Sequence, residues 1–377
     1  MIITRIKLEN WKNFADVNVN CGKRMFLIGP NASGKSNFLD ALLFLRDVAQ
    51  YKLGHAVALR GGMKSIRYIN ARQHPDITIA LTIDDAWKYE LTFGTEKGKQ
   101  VPIVIREIVK QRTEDKWKRI LSRPNEEDEN DPLRRTQTSL EQINANIKFR
   151  ELYDFFATIQ YRHILPQLVR EPKAFSPAPV TNDPYGRDLV FSIAKTPENI
   201  RKARLAKINA ALKAAVPNFE DLQVVRDNDG LPHLQVKYSH WRPQGAKQQE
   251  NVFSDGTLRL LALLWSLFDA DGPLLLEEPE LSLHDGVVAL LPGIFARIDK
   301  GRKKKVRQIF VTTHSTSLLS DPGIGSNEIL RLEPGKEGVL VHSADEQERK
   351  LMQQGLTVAD VMLPKTRPEN LQQLSLF

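Results

Sequence analysis

Apolar and polar positions alternate with a period of two in several short stretches near the start of the chain. "IITRIKL" and "DVNVN" read as paired strands, and "RMFLIG" as a short buried strand. A helical period then takes over: "NFLDALLFLRDV" keeps one apolar face, and Ser33 or the preceding loop amides would cap that helix. From Ile77 to about Ser122, "DITIALTID", "KYELTFG" and "VPIVIREIVKQ" alternate again between turn residues, which predicts an antiparallel patch. "RPNEEDENDP" is charged and bounded by prolines, so it reads as a mobile loop. A helix of about 20 residues ending near Thr158 is expected next, and then a strand, "YRHILPQLVREP", stopped by proline. The segment to Tyr185 looks irregular, and "PENIRKARLAKINAALKAAVP" has the start and stop signals of a helix. Two further strand candidates lead to "NVFSDGTLRLLALL". After it, three apolar runs, "GPLLLEEPE", "RQIFVTTHS" and "NEILRLE", alternate with helical patterns in the rhythm of a parallel sheet.

Composition narrows this picture without deciding it. The chain has 377 residues, 41% of them hydrophobic and 7% aromatic, enough to bury one large core or two smaller ones. No apolar run approaches the ~20 residues that span a bilayer, and the N-terminus lacks the signature of a leader, so a cytosolic protein is expected. A single cysteine, Cys21, can form no internal disulfide and no thiolate zinc cluster. The net charge of +8 and a pI of about 9.4 favour an anionic partner of unspecified kind.

Candidate chemistry begins at "GPNASGKS". It fits G-x-x-x-x-G-K-[ST] in full, and it sits between a strand and a helix as that motif requires. Gly29, Asn31, Ala32, Ser33 and Gly34 would turn backbone N–H groups toward α- and β-phosphates; Lys35 would reach the β- and γ-phosphates, and Ser36 would ligate Mg²⁺. The apolar run Leu274–Leu276 ends in Glu277 and Glu278, so one carboxylate can hold Mg²⁺ while its neighbour orients the attacking water. We assign the metal to Glu277 and the water to Glu278. "QIFVTTHST" delivers His314 at the C-terminal end of another buried strand, where it can contact a γ-phosphate.

Taken in order, the P-loop, a long insert, "FSDGT", "LLLEEPE" and "VTTHS" resemble the ABC-type ATPase heads of the SMC, RecF and OLD-nuclease group. Within it they are most similar to the short, arm-less AAA-type ATPases of bacterial defence and repair operons. The resemblance covers most of the chain and implies an α/β fold: a P-loop NTPase of ABC-ATPase type, with a mixed central sheet, an antiparallel β subdomain and a helical insert. It divides the chain into an N-terminal ATPase lobe (1–168), a helical or irregular insert (169–250) and a C-terminal lobe with signature, Walker B and switch histidine (251–377). In such heads the signature serine and glycine, here Ser254 and Gly256, complete the nucleotide site of a second subunit, so two ATP are sandwiched in a homodimer. Gln167 of "RHILPQ" looks like the glutamine that senses Mg²⁺ and the attacking water, and Asn13 of "ENWKNF" like the residue near the nucleotide base.

Three departures qualify the resemblance: Asp255 stands where transporter-type members have glycine, Glu277 stands where many P-loop enzymes have aspartate, and the insert is too short for an SMC arm. No OLD-type nuclease domain is expected in the residues after His314. The implied protein is a slow, regulated ATPase that uses ATP and Mg²⁺ and controls a separate effector, a nuclease or TOPRIM-type protein, in phage defence or DNA repair. A RecF-like DNA-binding loader and the ATPase subunit of a membrane transporter are the alternatives. The basic runs "GRKKKVR" and "RKARLAK" offer Lys303, Lys304, Arg201 and Arg204 to a nucleic-acid backbone.

Overall fold

The computed structural model describes residues 1–71, 75–96, 101–171, 183–239, 246–301 and 307–367. Its first strands, β1 (Ile3–Trp11) and β2 (Phe14–Asn20), pair antiparallel, and β3 (Arg24–Ile28) leads into helix α1 (Lys35–Tyr51). The alternating stretches that follow form β4 (Ile77–Ile83), β5 (Trp87–Thr95), β6 (Pro102–Thr113) and β7 (Lys116–Arg123). All but β3 join one six-stranded antiparallel sheet in the order β2-β1-β4-β5-β6-β7.

The second sheet draws on distant parts of the chain. It contains β3, β8 (Gln160–Arg162) and, beyond the insert, β12 (Leu274–Glu277), β13 (Ile309–Thr312), β14 (Ile329–Gly335) and β15 (Gly338–His342). Its order is β15-β14-β3-β13-β12-β8, parallel throughout except for β15. Between these segments, helix α2 (Glu198–Ala215) packs beside a three-stranded sheet of β9 (Phe219–Arg226), β10 (Pro232–Tyr238) and β11 (Ala246–Gln249), and helix α3 (Asp255–Asp269) follows.

The parallel strands are apolar on both faces because each face meets its own core. Met25 and Leu27 of β3, Leu275 of β12 and Phe310 of β13 point toward α1 and the antiparallel sheet. Their neighbours Phe26, Ile28, Leu274, Leu276, Ile309 and Val311 point toward α3. Phe44 of α1 stacks on Phe93 at 4.9 Å and meets Trp11 at 5.2 Å, which ties α1 to the antiparallel sheet. Among the described residues no helix is long and apolar enough to cross a membrane.

Four local expectations need correction. Glu126–Asn130 of the charged stretch is a short helix with a capping box between Asn125 and Asp128, so Asp128 is fixed by the Asn125 N–H. The expected helix of about 20 residues shrinks to Arg150–Ala157, after two 3₁₀ turns. The reason lies elsewhere in the chain: Glu107 accepts the backbone N–H groups of Ser139 and Leu140 at 2.6 and 3.1 Å, which pins that stretch in a non-helical path. The strand expected over "YRHILPQLVREP" stops at Arg162, and Pro166 opens the helix Pro166–Arg170, where its missing N–H costs nothing. Helix α1 is capped by Gly34 without a side-chain bond, and the buried Ser33 hydroxyl has no partner.

Three arginines of the basic runs make contacts within the fold. Arg201 donates to the Ala194 carbonyl at 2.7 Å, Arg204 lies over the Trp265 ring at 5.4 Å, and buried Arg307 donates to the carbonyls of Gly272 and Ser266. Lys303 and Lys304 lie outside the described residues.

Beneath the antiparallel sheet, Arg123 is buried between Glu107 and Asp128, at 3.3 and 2.6 Å, and Glu107 also accepts the Tyr89 hydroxyl at 3.1 Å. Burial pushes the Glu107 carboxyl above its usual range, and Arg123 pulls against that shift. Arg123→Ala leaves two buried carboxylates uncompensated, so urea unfolding should show a loss of about 3–5 kcal/mol. A loss within the ~1 kcal/mol of an exposed pair would show that the cluster is solvated.

Candidate functional site

Three strand ends and their loops converge where the doubly buried sheet runs out. The P-loop follows β3, Glu277 ends β12 with Glu278 just past it, and His314 follows β13, whose register places Thr312 beside Leu27 and Glu277. In the P-loop, Ala32 has φ 61° and Gly34 φ 91°, the left-handed turns that curl the backbone around an anion-sized space. A Cβ on Gly34 would meet Asn13 Nδ2 at 2.1 Å. Asn13 is therefore packed onto the P-loop; it accepts from Asn37 Nδ2 at 2.9 Å, while its own carbonyl accepts the Val339 N–H. Trp11 and Phe14 beside it are core residues.

Lys35 is nearly buried, and its Nζ donates to the carbonyls of Gly29 and Pro30 at 3.0 Å each. Burial lowers its pKa to about 8, against the upward pull of Glu278, Glu277 and Glu280. Neutral carbonyls compensate an ammonium poorly, so the loop holds a cation that gains from an added anion. Beside it, the Ser36 hydroxyl donates to Glu277 Oε1 and the Tyr161 hydroxyl donates to Glu277 Oε2. Burial raises the Tyr161 pKa, so the phenol stays a donor. The Ser36 and Glu277 oxygens are hard ligands of the kind Mg²⁺ takes, and the partnerless Ser33 hydroxyl lies in the same loop, so the residues fit a Mg²⁺–nucleotide.

Glu278 adopts φ 42°, a strained value for a non-glycine residue, held by its N–H to the Thr312 carbonyl at 3.1 Å and hydroxyl at 3.2 Å. That turn points its carboxylate at His314, 3.5 Å from Nε2. Burial and then the Lys35 charge lower the His314 pKa, which keeps the imidazole neutral at pH 7. A third acid, Glu280, accepts from the Thr313 hydroxyl at 2.5 Å and the His314 N–H at 3.3 Å; its other oxygen is buried without a partner, and burial raises its pKa.

Ser254 caps α3, accepting the Thr257 N–H at 3.2 Å, and its side chain lies exposed. The Asp255 carboxylate is matched by Arg170 at 2.6 Å, so its charge is answered within the chain. A Cβ on Gly256 would stand 2.6 Å from the Ser282 carbonyl, on the loop that carries Glu278 and Glu280.

The structure thus gathers the P-loop residues Gly29, Asn31, Ala32, Ser33, Gly34, Lys35 and Ser36 with Glu277, Glu278 and His314, and packs Asn13 against them. Gln167 does not end a strand: it sits exposed on the helix Pro166–Arg170, five residues past β8. Sequence reasoning missed Tyr161 and Glu280. The repeated acid in "LLLEEPE" signalled Glu280; nothing local signalled Tyr161, which reaches Glu277 across strands.

Residues 24–320 match the family described as "AAA domain, putative AbiEii toxin, Type IV TA system". The chain belongs to that family, which bears out the P-loop ATPase fold expected from its motifs. No curated protein matches it by sequence. Among solved structures it is similar to an Smc head bound to the C-terminal winged-helix domain of ScpA (15% identity, 94% of this chain and 100% of that one, TM-score 0.49). It is also similar to an Smc head with an extended coiled coil, bound to the C-terminal domain of ScpA, from Pyrococcus furiosus (13%, 93% and 98%, 0.47). A third is the SMC head domain from Thermotoga maritima (12%, 92% and 100%, 0.43).

The close approach at Gly256 is testable without any ligand. Gly256→Ala forces a methyl group against the Ser282 carbonyl, so thermal unfolding should show a loss of roughly 1–3 kcal/mol. Gly54→Ala, in open space on a helix, should be neutral or stabilising. Equal effects would mean that the loop at Ser282 yields freely.

Proposed function

We propose that this chain is an ATP-driven switch that binds Mg²⁺–ATP at its P-loop, closes as a homodimer around two nucleotides, hydrolyses them slowly and thereby controls a partner effector. The observation that carries this reading is the convergence of Lys35, the Ser36–Glu277 pair and the Glu278–His314 pair at the ends of three parallel strands. On binding, Lys35 would exchange the Gly29 and Pro30 carbonyls for phosphate oxygens, gaining a full counter-charge. Ser36 and Glu277 would hold Mg²⁺, which supplies charge screening for the transferring phosphoryl group. Glu278 is the base that orients and deprotonates water, and neutral His314 donates from one ring nitrogen toward the γ-phosphate.

In this reading Ser254 and Gly256 complete the site of a second copy: an exposed serine and a bare backbone at a helix N-terminus form half of an anion site. Asn13 would lie near the nucleotide base, and Gln167, on its exposed helix, would sense the metal and the attacking water. The effector would be a nuclease or TOPRIM-type protein in the cytoplasm, acting in phage defence or DNA repair. The type IV toxin–antitoxin wording of the family description supports the defence setting.

Glu278→Gln keeps the shape and removes the base, so ATP should still bind while hydrolysis falls by roughly two to four orders of magnitude. If Glu277→Gln alone behaves that way, the two acids have exchanged roles. Lys35→Ala should abolish ATP binding outright.

The dimer is tested by mixing. Ser254→Arg should leave its own P-loop competent, and Lys35→Ala its own signature, so each variant alone is inactive. A mixed dimer regains one intact composite site and should recover part of the ATPase rate. No recovery at any ratio, with light scattering confirming mixed dimers, would show that Ser254 serves its own subunit.

A further inference from the structure

Glu277 stands where many P-loop enzymes carry aspartate, and the extra methylene adds a rotatable bond between the backbone and the carboxylate. Left alone at a strand end, such a side chain samples several rotamers, and its two oxygens become interchangeable toward a cation. Here neither oxygen is left alone: Ser36 Oγ donates to Oε1 and Tyr161 OH to Oε2.

The sheet itself places the phenol. β8 runs parallel to β12 with Tyr161 level with Leu275, two residues before Glu277 and therefore on the same face. The Tyr161 ring packs against the core around α1, so its hydroxyl projects along that face from a fixed base. The hydroxyl has one hydrogen, and it is committed to Oε2.

We propose that Tyr161 is a positioning residue for the divalent cation that accompanies the nucleotide. By holding Oε2 it presents Oε1 alone, next to Ser36, and makes a flexible glutamate act as a fixed, single-oxygen ligand. Outer partners that orient a metal-binding side chain in this way typically change metal affinity 10- to 100-fold when removed. The inference rests on the reading that Ser36 and Glu277 hold the cation.

Tyr161→Phe keeps the ring packing and deletes only the hydroxyl. The test measures Mn²⁺ binding to the ADP-loaded protein by electron paramagnetic resonance of free Mn²⁺, and ADP affinity in EDTA by calorimetry. Mn²⁺ affinity should fall about 10-fold, with ADP affinity in EDTA unchanged, and the Mg²⁺ concentration for half-maximal ATPase rate should rise while the rate at saturating Mg²⁺ recovers. In a Glu277→Asp background, where the shorter side chain cannot keep both contacts, adding Tyr161→Phe should change nothing further.

Wild-type Mn²⁺ affinity in Tyr161→Phe overturns the proposal. So does a matching loss of ADP affinity in EDTA, which would mark Tyr161 as structural support for the whole pocket. If the wild-type protein itself binds no Mn²⁺ with ADP, and Lys35→Ala leaves nucleotide affinity unaltered, the underlying ATP-site reading fails instead.

Discussion

A sheet buried on both faces has nowhere to put polar chemistry except the ends of its strands. In this molecule β3, β12 and β13 are filled by apolar side chains toward α1 on one face and α3 on the other. Every charged group that could act on a ligand is therefore forced into the loops just past their C-terminal ends. The P-loop, Glu277, Glu278, Glu280 and His314 are neighbours for that reason, although about 250 to 285 residues of sequence separate Gly29 from the acids and the histidine.

That crowding leaves the site incompletely satisfied. Lys35 has only carbonyl partners and a pKa near 8, Ser33 Oγ and one Glu280 oxygen are buried without partners, and so is Arg259 Nε on α3. Arg259 lines a water-sized cavity with Arg162, Leu276 and Glu277. Unpaired groups of this kind are costly in an ordinary core, whereas the buried Arg123 cluster elsewhere in the fold is fully paired. Among the described residues Arg67, Glu141, His163, Arg187 and Trp265 also bury an unpartnered polar atom, so what sets the strand ends apart is the Lys35 ammonium and the three glutamates gathered beside such atoms.

Much of this was legible in the sequence because the informative features are local. The P-loop needs consecutive residues, the apolar runs of β12 and β13 are continuous, and α3 shows its period and its serine cap within one stretch. Several of the misses are non-local. Gln167 was placed by analogy at a strand end, but β8 pairs with β12 over only Gln160–Arg162, and a proline then starts a helix. Tyr161 reads as one more strand aromatic until β12 is set beside it. Arg201, Arg204 and Arg307 of the basic runs make carbonyl, aromatic and core contacts that no composition count reveals.

The contact at Gly256 joins the two halves of the argument. Ser282 lies four residues after Glu278 on one loop, and Glu280 between them is anchored to Thr313 and His314. With the Ser282 carbonyl pressed against the Gly256 backbone, the N-terminus of α3, the acidic loop and the end of β13 form a single mechanical unit. Arg170 extends it by donating to the Phe253 carbonyl and Asp255, which brings in the short helix that carries Gln167. Displacing Ser254 relative to Glu278 must break at least one of these contacts.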